Sequence, residues 1–163
     1  MWQWRSMAAD DIDGVVVVAA HAFPNHFEAR SCFEERLGLF PLGCFVLASG
    51  SDVSAYLIAY PQVIGVVPRL NSLVGALPSS CEAVYLHDLA LLSNVRGQGH
   101  AERGFNRLLE SLIPMGSKIV HLVAVNGSAP FWAKLGFERT INRHINSYGD
   151  DAVYMVRRVA MEQ

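Results

Sequence analysis

Two short stretches hold residue types that could do chemistry. His87 and Asp88 interrupt the apolar run Val84 to Leu92, and Arg96-Gly97-Gln98-Gly99-His100-Ala101 follows just downstream. A histidine and a carboxylate inside an apolar strand need partners or a purpose, because burial without hydrogen bonds is costly. Either group suits general-base work, and a satisfied structural pair is the alternative, with Asp88 anchoring a neighbouring loop. Adjacent strand residues point to opposite faces, so the pattern predicts that at most one of the two faces a substrate. The glycine turn suits anion binding. Glycines let a ligand approach the backbone closely, and the first amides of a helix point outward without partners.

The surrounding elements must position these groups. Ala83 to Leu92 reads as a buried strand, and Ala101, Phe105, Leu108, Leu109 and Leu112 fall at helical spacing. Upstream, Met1 to Met7 reads as a first strand. A helix opened by Ala8-Ala9-Asp10-Asp11 runs to Ala22, where Phe23-Pro24-Asn25 stops it. A second helix is expected over Glu28 to Leu39, then a hairpin of Cys44 to Ala48 and Ser54 to Tyr60. Gln62 to Glu82 is a long irregular segment, the kind that is often functional in a compact domain. After the glycine turn and its helix come a strand over Lys118 to Val125 and a short helix from Ala129 to Leu135. Ser128 is its expected cap and Gly136 its stop, and strands over Phe137 to Ile145 and Ala152 to Val159 complete the chain. One mixed α/β domain accounts for this order.

Bulk composition narrows the function classes. The 163 residues are 52% hydrophobic and 17% charged, which excludes a disordered chain and fits one domain with a proper core. A net charge of −2 without a polybasic tract argues against nucleic acid as partner. The apolar stretch Gly14 to Ala20 is too short to span a bilayer and follows Asp10, Asp11 and Asp13, so neither a membrane partner nor a signal peptide is expected. Three separated cysteines, Cys32, Cys44 and Cys81, suit reduced thiols in a cytoplasm. His21 and His26 lack metal-ligand spacing, so no metal is expected.

The glycine turn has three possible owners. A dinucleotide fingerprint needs a third glycine where Glu102 stands, and a P-loop needs a lysine that is absent. The stretch Arg96 to Ala101 instead resembles the [Q/R]-x-x-G-x-[G/A] element of the GNAT acyltransferases. Leu122 to Phe137 (LVAVNGSAPFWAKLGF) resembles that family's later strand-helix block, and the order of elements agrees along the whole chain. The resemblance implies a mixed sheet of about six to seven strands flanked by about four helices, with a splayed strand before the turn.

It also implies acetyl-CoA as co-substrate, attacked directly by an amine. Its pyrophosphate would lie on Arg96, Gly97, Gln98, Gly99, His100 and Ala101, and its pantetheine arm along Leu89, Ala90 and Leu91, with Asn126 and Phe131 as further contacts. The backbone amide of Leu91 would hold the oxyanion, with Asp88 or His87 as base. Trp132 stands where the family often has an acidic tyrosine, and an indole gives up no proton near neutral pH. Tyr148 and Tyr154 are the substitutes. The implied acceptor is a small amine or amino-acid-like molecule, selected by the first two helices and the segment Gln62 to Glu82. Glu28, Glu34 and Glu35 there could attract a cationic amine, with a solvated helix face as the usual alternative for such residues. A homodimer is compatible with the resemblance. An acyl-CoA-binding regulatory domain with lost catalysis is the alternative that Trp132 motivates.

Overall fold

A computed structural model describes residues 1–160. The strands are β1 (Gln3–Ser6), β2 (Cys44–Ser49), β3 (Asp52–Pro61), β4 (Ala83–Leu91), β5 (Ile119–Ala124), β6 (Glu138–Arg139) and β7 (Val153–Arg158). They form one sheet in the order β1-β2-β3-β4-β5-β7-β6. Every neighbouring pair is antiparallel except β4 and β5, which run parallel. The helices are α1 (Ile12–Ala22), α2 (Arg30–Leu39), α3 (His100–Leu112) and α4 (Ala129–Lys134).

Alternation along the strands builds a core on each face of the sheet. Tyr56, Ile58 and Tyr60 of β3 pack with Ile12, Val15 and Val18 of α1 and Phe33 of α2. Leu57 and Ala59 point the other way, against Phe105, Leu108 and Leu112 of α3 and Trp132 of α4. Each of those fully buried α3 side chains contributes on the order of 1.5–3 kcal/mol. The helix can lie close to the sheet because Gly104 has no Cβ. One placed there would come within 2.6 Å of the Trp4 ring, whose indole nitrogen donates to the His100 carbonyl.

Two features of β4 matter most. Its ladder with β5 covers only Ala83, Val84 and Tyr85 opposite Ile119, Val120 and His121, after which the strands separate. Its ladder with β3 slips: Ile58 faces Asp88 but Ala59 faces Leu86, so His87 is an extra, bulged residue. A bulge of this kind resets alternation. Leu86 and Leu89 lie on the α3 side of the sheet, whereas Tyr85 and Ala90 lie on the α1 side.

Most expected elements occur, with four corrections. The first helix opens as a 3-10 turn over Ala9–Asp11, where the Asp11 carboxylate accepts from the Ala8 amide and from Arg5. The second begins at Arg30 rather than Glu28. Ser128 occupies the cap position of α4 but makes no side-chain cap bond. The expected strand Phe137 to Ile145 shrinks to two residues, because its pairing with β7 ends at Arg139 opposite Met155. Gly136 does end α4, with a left-handed φ of 95°. No helix among the described residues is long and apolar enough to cross a membrane.

The Gly104 contact predicts that Gly104→Ala lowers stability by about 1–3 kcal/mol through overpacking against Trp4. Chemical denaturation measures this, and an unchanged midpoint would contradict the packing described.

Candidate active site

The separation of β4 from β5 opens a cavity of 880 Å³. One end is the glycine turn. Gly97 and Gly99 have φ of 73° and 80°, values open to glycine at little cost, and α3 starts at His100. The α3 ladder begins with the Arg103 amide on the Gly99 carbonyl at 3.2 Å, which leaves the amides of His100, Ala101 and Glu102 with no acceptor inside the helix. The Arg103 guanidinium donates to the Gln98 carbonyl at 2.7 Å and adds positive charge beside these amides. Arg96 folds back and donates from Nε to the Leu91 carbonyl at 2.9 Å, tying the turn to the end of β4.

Most of the residues expected around a CoA arm line this one cavity. They include Leu89, Ala90, Leu91, Arg96, Gly97, Gly99, His100, Ala101, Asn126 and Phe131. Gln98 does not, since its side chain donates back to the Asn94 carbonyl. The Leu92 amide donates to the Ser54 carbonyl on β3 at 2.8 Å. Strand alternation therefore turns the Leu91 amide away from β3, toward the gap left by β5.

The other end is built around a buried carboxylate. Glu28 lies in the loop before α2 and is 8% exposed. Its Oε1 accepts from Arg36 Nη1 at 2.9 Å and from His87 Nε2 at 2.7 Å. Its Oε2 accepts from Arg36 Nη2 at 2.5 Å and from the Asn71 amide at 3.0 Å. Burial favours the neutral acid, but His87 and Arg36 together hold this carboxyl well below the usual carboxylate range. Asp88 stands next to it, partly exposed to the cavity, and its Oδ2 accepts from the Tyr56 hydroxyl at 2.8 Å. Burial raises the Asp88 pKa, His87 opposes this, and the nearby Glu28 charge raises it again against Arg36 and Tyr56, with a net upward shift.

Strict alternation, which would put His87 and Asp88 on opposite faces, therefore fails here, although only Asp88 is partly exposed and the His87 side chain is fully buried. The bulge at His87 turns both to the α1 side, where their ligand-type atoms and those of Glu28 lie within 4.8 Å of one another. Such a trio has metal-ligating types, yet both Glu28 oxygens already accept two donors each, one of them a guanidinium. The solvated-face reading of the glutamates holds only for Glu34. Glu28 is buried, and Glu35 accepts from the amides of Val74 and Gly75 at 2.6 and 2.9 Å.

The tyrosine candidates are also engaged. The Tyr148 hydroxyl lines the cavity but donates to the Pro68 carbonyl at 2.9 Å and accepts from Tyr85 at 3.1 Å. Burial pushes its pKa further up. Tyr154 shares its hydroxyl with His121 Nδ1 and accepts from the Gly65 amide. Trp132 is a core residue, edge-on to Phe105 and Phe137. Sequence reasoning missed Arg36, Arg103 and Tyr56. Arg36 had a signal: it lies three and four residues after Phe33 and Cys32, inside the buried stripe of α2.

Comparison with solved structures fits this layout. Ard1 from Thermoplasma volcanium superposes with a TM-score of 0.76 at 16% identity, over 98% of this chain and 99% of that one. A putative acetyltransferase of the GNAT family from Desulfovibrio desulfuricans gives 0.71 at 15% identity, over 98% and 100%. This chain has the GNAT fold. The same fold also serves other chemistry: a GNAT-like decarboxylase, GphF, in complex with isobutyryl-CoA, matches at 0.73 with 17% identity, over 97% and 100%. No protein-family profile matches the chain, and no curated protein matches it in sequence.

Removing one partner of the buried pair has a defined cost. Arg36→Met should destabilise the fold by about 3–5 kcal/mol, because Glu28 is left charged and buried. A denaturation midpoint close to wild type would contradict the arrangement. The pH dependence has two parts of opposite sign. Glu28 is depressed in the folded state, so its contribution is complete above the unfolded value of about 4.3 and is lost as pH falls below it. Asp88 is raised, so protonating it as pH falls from neutral relieves a buried charge. Glu28→Gln should therefore remove part of the acid-side loss of stability, and Asp88→Asn should steepen the net loss of stability on acidification. Denaturation curves between neutral pH and pH 3 would show both.

Proposed function

We propose that this chain is a GNAT-superfamily N-acetyltransferase that uses acetyl-CoA and a small amine acceptor, which react directly in a ternary complex. One observation carries the reading: a single cavity joins the amide cradle at the head of α3 to the Glu28–His87–Asp88 cluster. The cradle suits a pyrophosphate. It has left-handed glycines that admit close approach, outward amides and the Arg103 charge. Between cradle and cluster, Leu89, Ala90 and Leu91 on one side and Leu122, Val125 and Asn126 on the other flank a lane for a pantetheine arm.

The thioester supplies an activated acyl group, and the chain supplies proton handling and electrostatics. An amine attacks only after losing its proton, and Asp88 is the group placed to take it. A raised carboxyl pKa makes it a better base than an ordinary aspartate near neutral pH. His87 is committed through Nε2 to Glu28, so it acts in positioning. The Leu91 amide, directed into the gap, serves as the fixed donor for the oxyanion. The leaving thiolate takes its proton from solvent, since Trp132 has none to give and the Tyr148 proton is held by Pro68.

The second reading is an acyl-CoA-binding domain without catalysis, which the buried Trp132 favours. Thiol release separates the two. Tight CoA binding without release across a broad amine panel selects the binding domain.

Gly99→Val should raise the Kd for CoA at least about tenfold, since a side chain there requires strained backbone and its Cβ would lie 2.8 Å from Arg103. Calorimetric titration measures it, and unchanged affinity would remove the cradle assignment. Asp88→Asn should lower kcat by about 10²–10⁴-fold while CoA affinity stays the same. Wild-type kcat/KM should fall on the acid side as Asp88 takes up its proton, and the variant should lack that limb. A retained kcat would place the base elsewhere.

A further inference from the structure

We propose that the acceptor end of the cavity receives a small primary amine with an apolar body and no carboxylate, beneath a roof formed by the segment 62–82. The inference rests on the transferase reading above and names its acceptor class.

The roof is a strap fastened at both sides. Toward α2, the Ala29 amide donates to Asn71 Oδ1 at 2.7 Å, and the strap's own amides at Asn71, Val74 and Gly75 donate to Glu28 and Glu35. Toward β7, the Gly65 amide donates to the Tyr154 hydroxyl at 2.8 Å. Asn142 Nδ2 donates to the Gly65 carbonyl at 2.9 Å, and Tyr148 donates to the Pro68 carbonyl. Asn71 holds a left-handed φ of 56° at the centre of this lacing. Leu70 of this laced segment lines the cavity, so an acceptor that continues as a polypeptide would have to pass a strap tied down on both sides.

The wall chemistry narrows the class further. Ala22, Phe23, Pro24, Phe33 and Leu70 give an apolar surface. The charged and titratable side chains at this end are His21, His26, Glu28, His87 and Asp88, and among the described residues no lysine or arginine lines it. Arg36 lies behind Glu28 with its guanidinium committed there. His26 Nε2 and His87 Nε2 face a carbonyl and a carboxylate, so both nitrogens carry hydrogen. Each Nδ1 is buried without a protein partner. His21 turns Nδ1 to the Val17 carbonyl at the exposed rim. The hydroxyl protons of Tyr56 and Tyr148 are already donated to Asp88 and Pro68. The wall thus presents the Asp88 carboxylate beside apolar side chains, with its tyrosine protons already committed and no lysine or arginine among its described residues, which suits an amine and strands a carboxylate beside two acidic groups.

Three acceptors sharing one ring system test this: 2-phenylethylamine, phenylalanine, and a hexapeptide beginning with phenylalanine. Thiol release from acetyl-CoA gives kcat/KM for each, and calorimetry in the presence of CoA gives binding without turnover. The expected result is at least about tenfold preference for 2-phenylethylamine over phenylalanine in both measurements, with the hexapeptide inert. Leu70→Lys places an ammonium in the roof and should shift the ratio toward phenylalanine by about tenfold. Equal or better use of phenylalanine, or turnover of the hexapeptide, would overturn the inference and leave the transferase reading standing. If CoA binds and none of these or a wider set of amines releases thiol, the transferase reading fails and takes this inference with it.

Discussion

The Glu28 carboxylate accepts four hydrogen bonds from three other segments: two from Arg36 on α2, one from His87 on β4 and one from the Asn71 amide on the strap. A buried charge is tolerated only when such partners replace water, and losing any of them leaves the rest expensive. The loop before α2, the bulged strand and the strap are therefore fixed against one another by one side chain. Asp88, next to this centre, is kept in a site where its charge is disfavoured and partly exposed to the cavity. A carboxyl held in that condition is suited to taking a proton from a bound amine.

The second constraint is the early parting of β4 and β5. Paired strands have no room for a ligand between them, whereas here the ladder stops at Tyr85 and His121. The amides that β5 would have taken face a lane that runs from the head of α3 to the Glu28 cluster. The β4 bulge then directs two polar groups into the same end of that lane. Splay and bulge are backbone irregularities a few residues apart, and together they convert a core strand into one wall of a site.

Much of this was legible in the residues. The glycine turn and the apolar spacing of α3 follow from local chemistry, and the structure has the turn and the helix start where the residues put them. The order of elements also follows, because helix stops such as Phe23-Pro24 and Gly136 act locally. The bulge did not show, since the slip at His87 is decided by pairing with Ile58 and Ala59, about thirty residues upstream. Reading His87 and Asp88 by strict alternation therefore separated two groups that lie together. Glu28 looked like a solvated helix residue because its partners, His87 and Asn71, are distant in sequence. Arg36 was the available clue, as an arginine within the buried stripe of a helix demands a buried acid. The short β6 was over-read because a strand's length depends on its neighbour, and β7 pairs with it only at Glu138 and Arg139.

A crystal structure with CoA bound tests the central claim most directly. The account predicts pyrophosphate oxygens about 3 Å from amides at the head of α3, pantetheine between β4 and β5, and the sulfur at the end occupied by Asp88 and the Leu91 amide. A CoA bound elsewhere, or one whose sulfur lies away from Asp88, would contradict it.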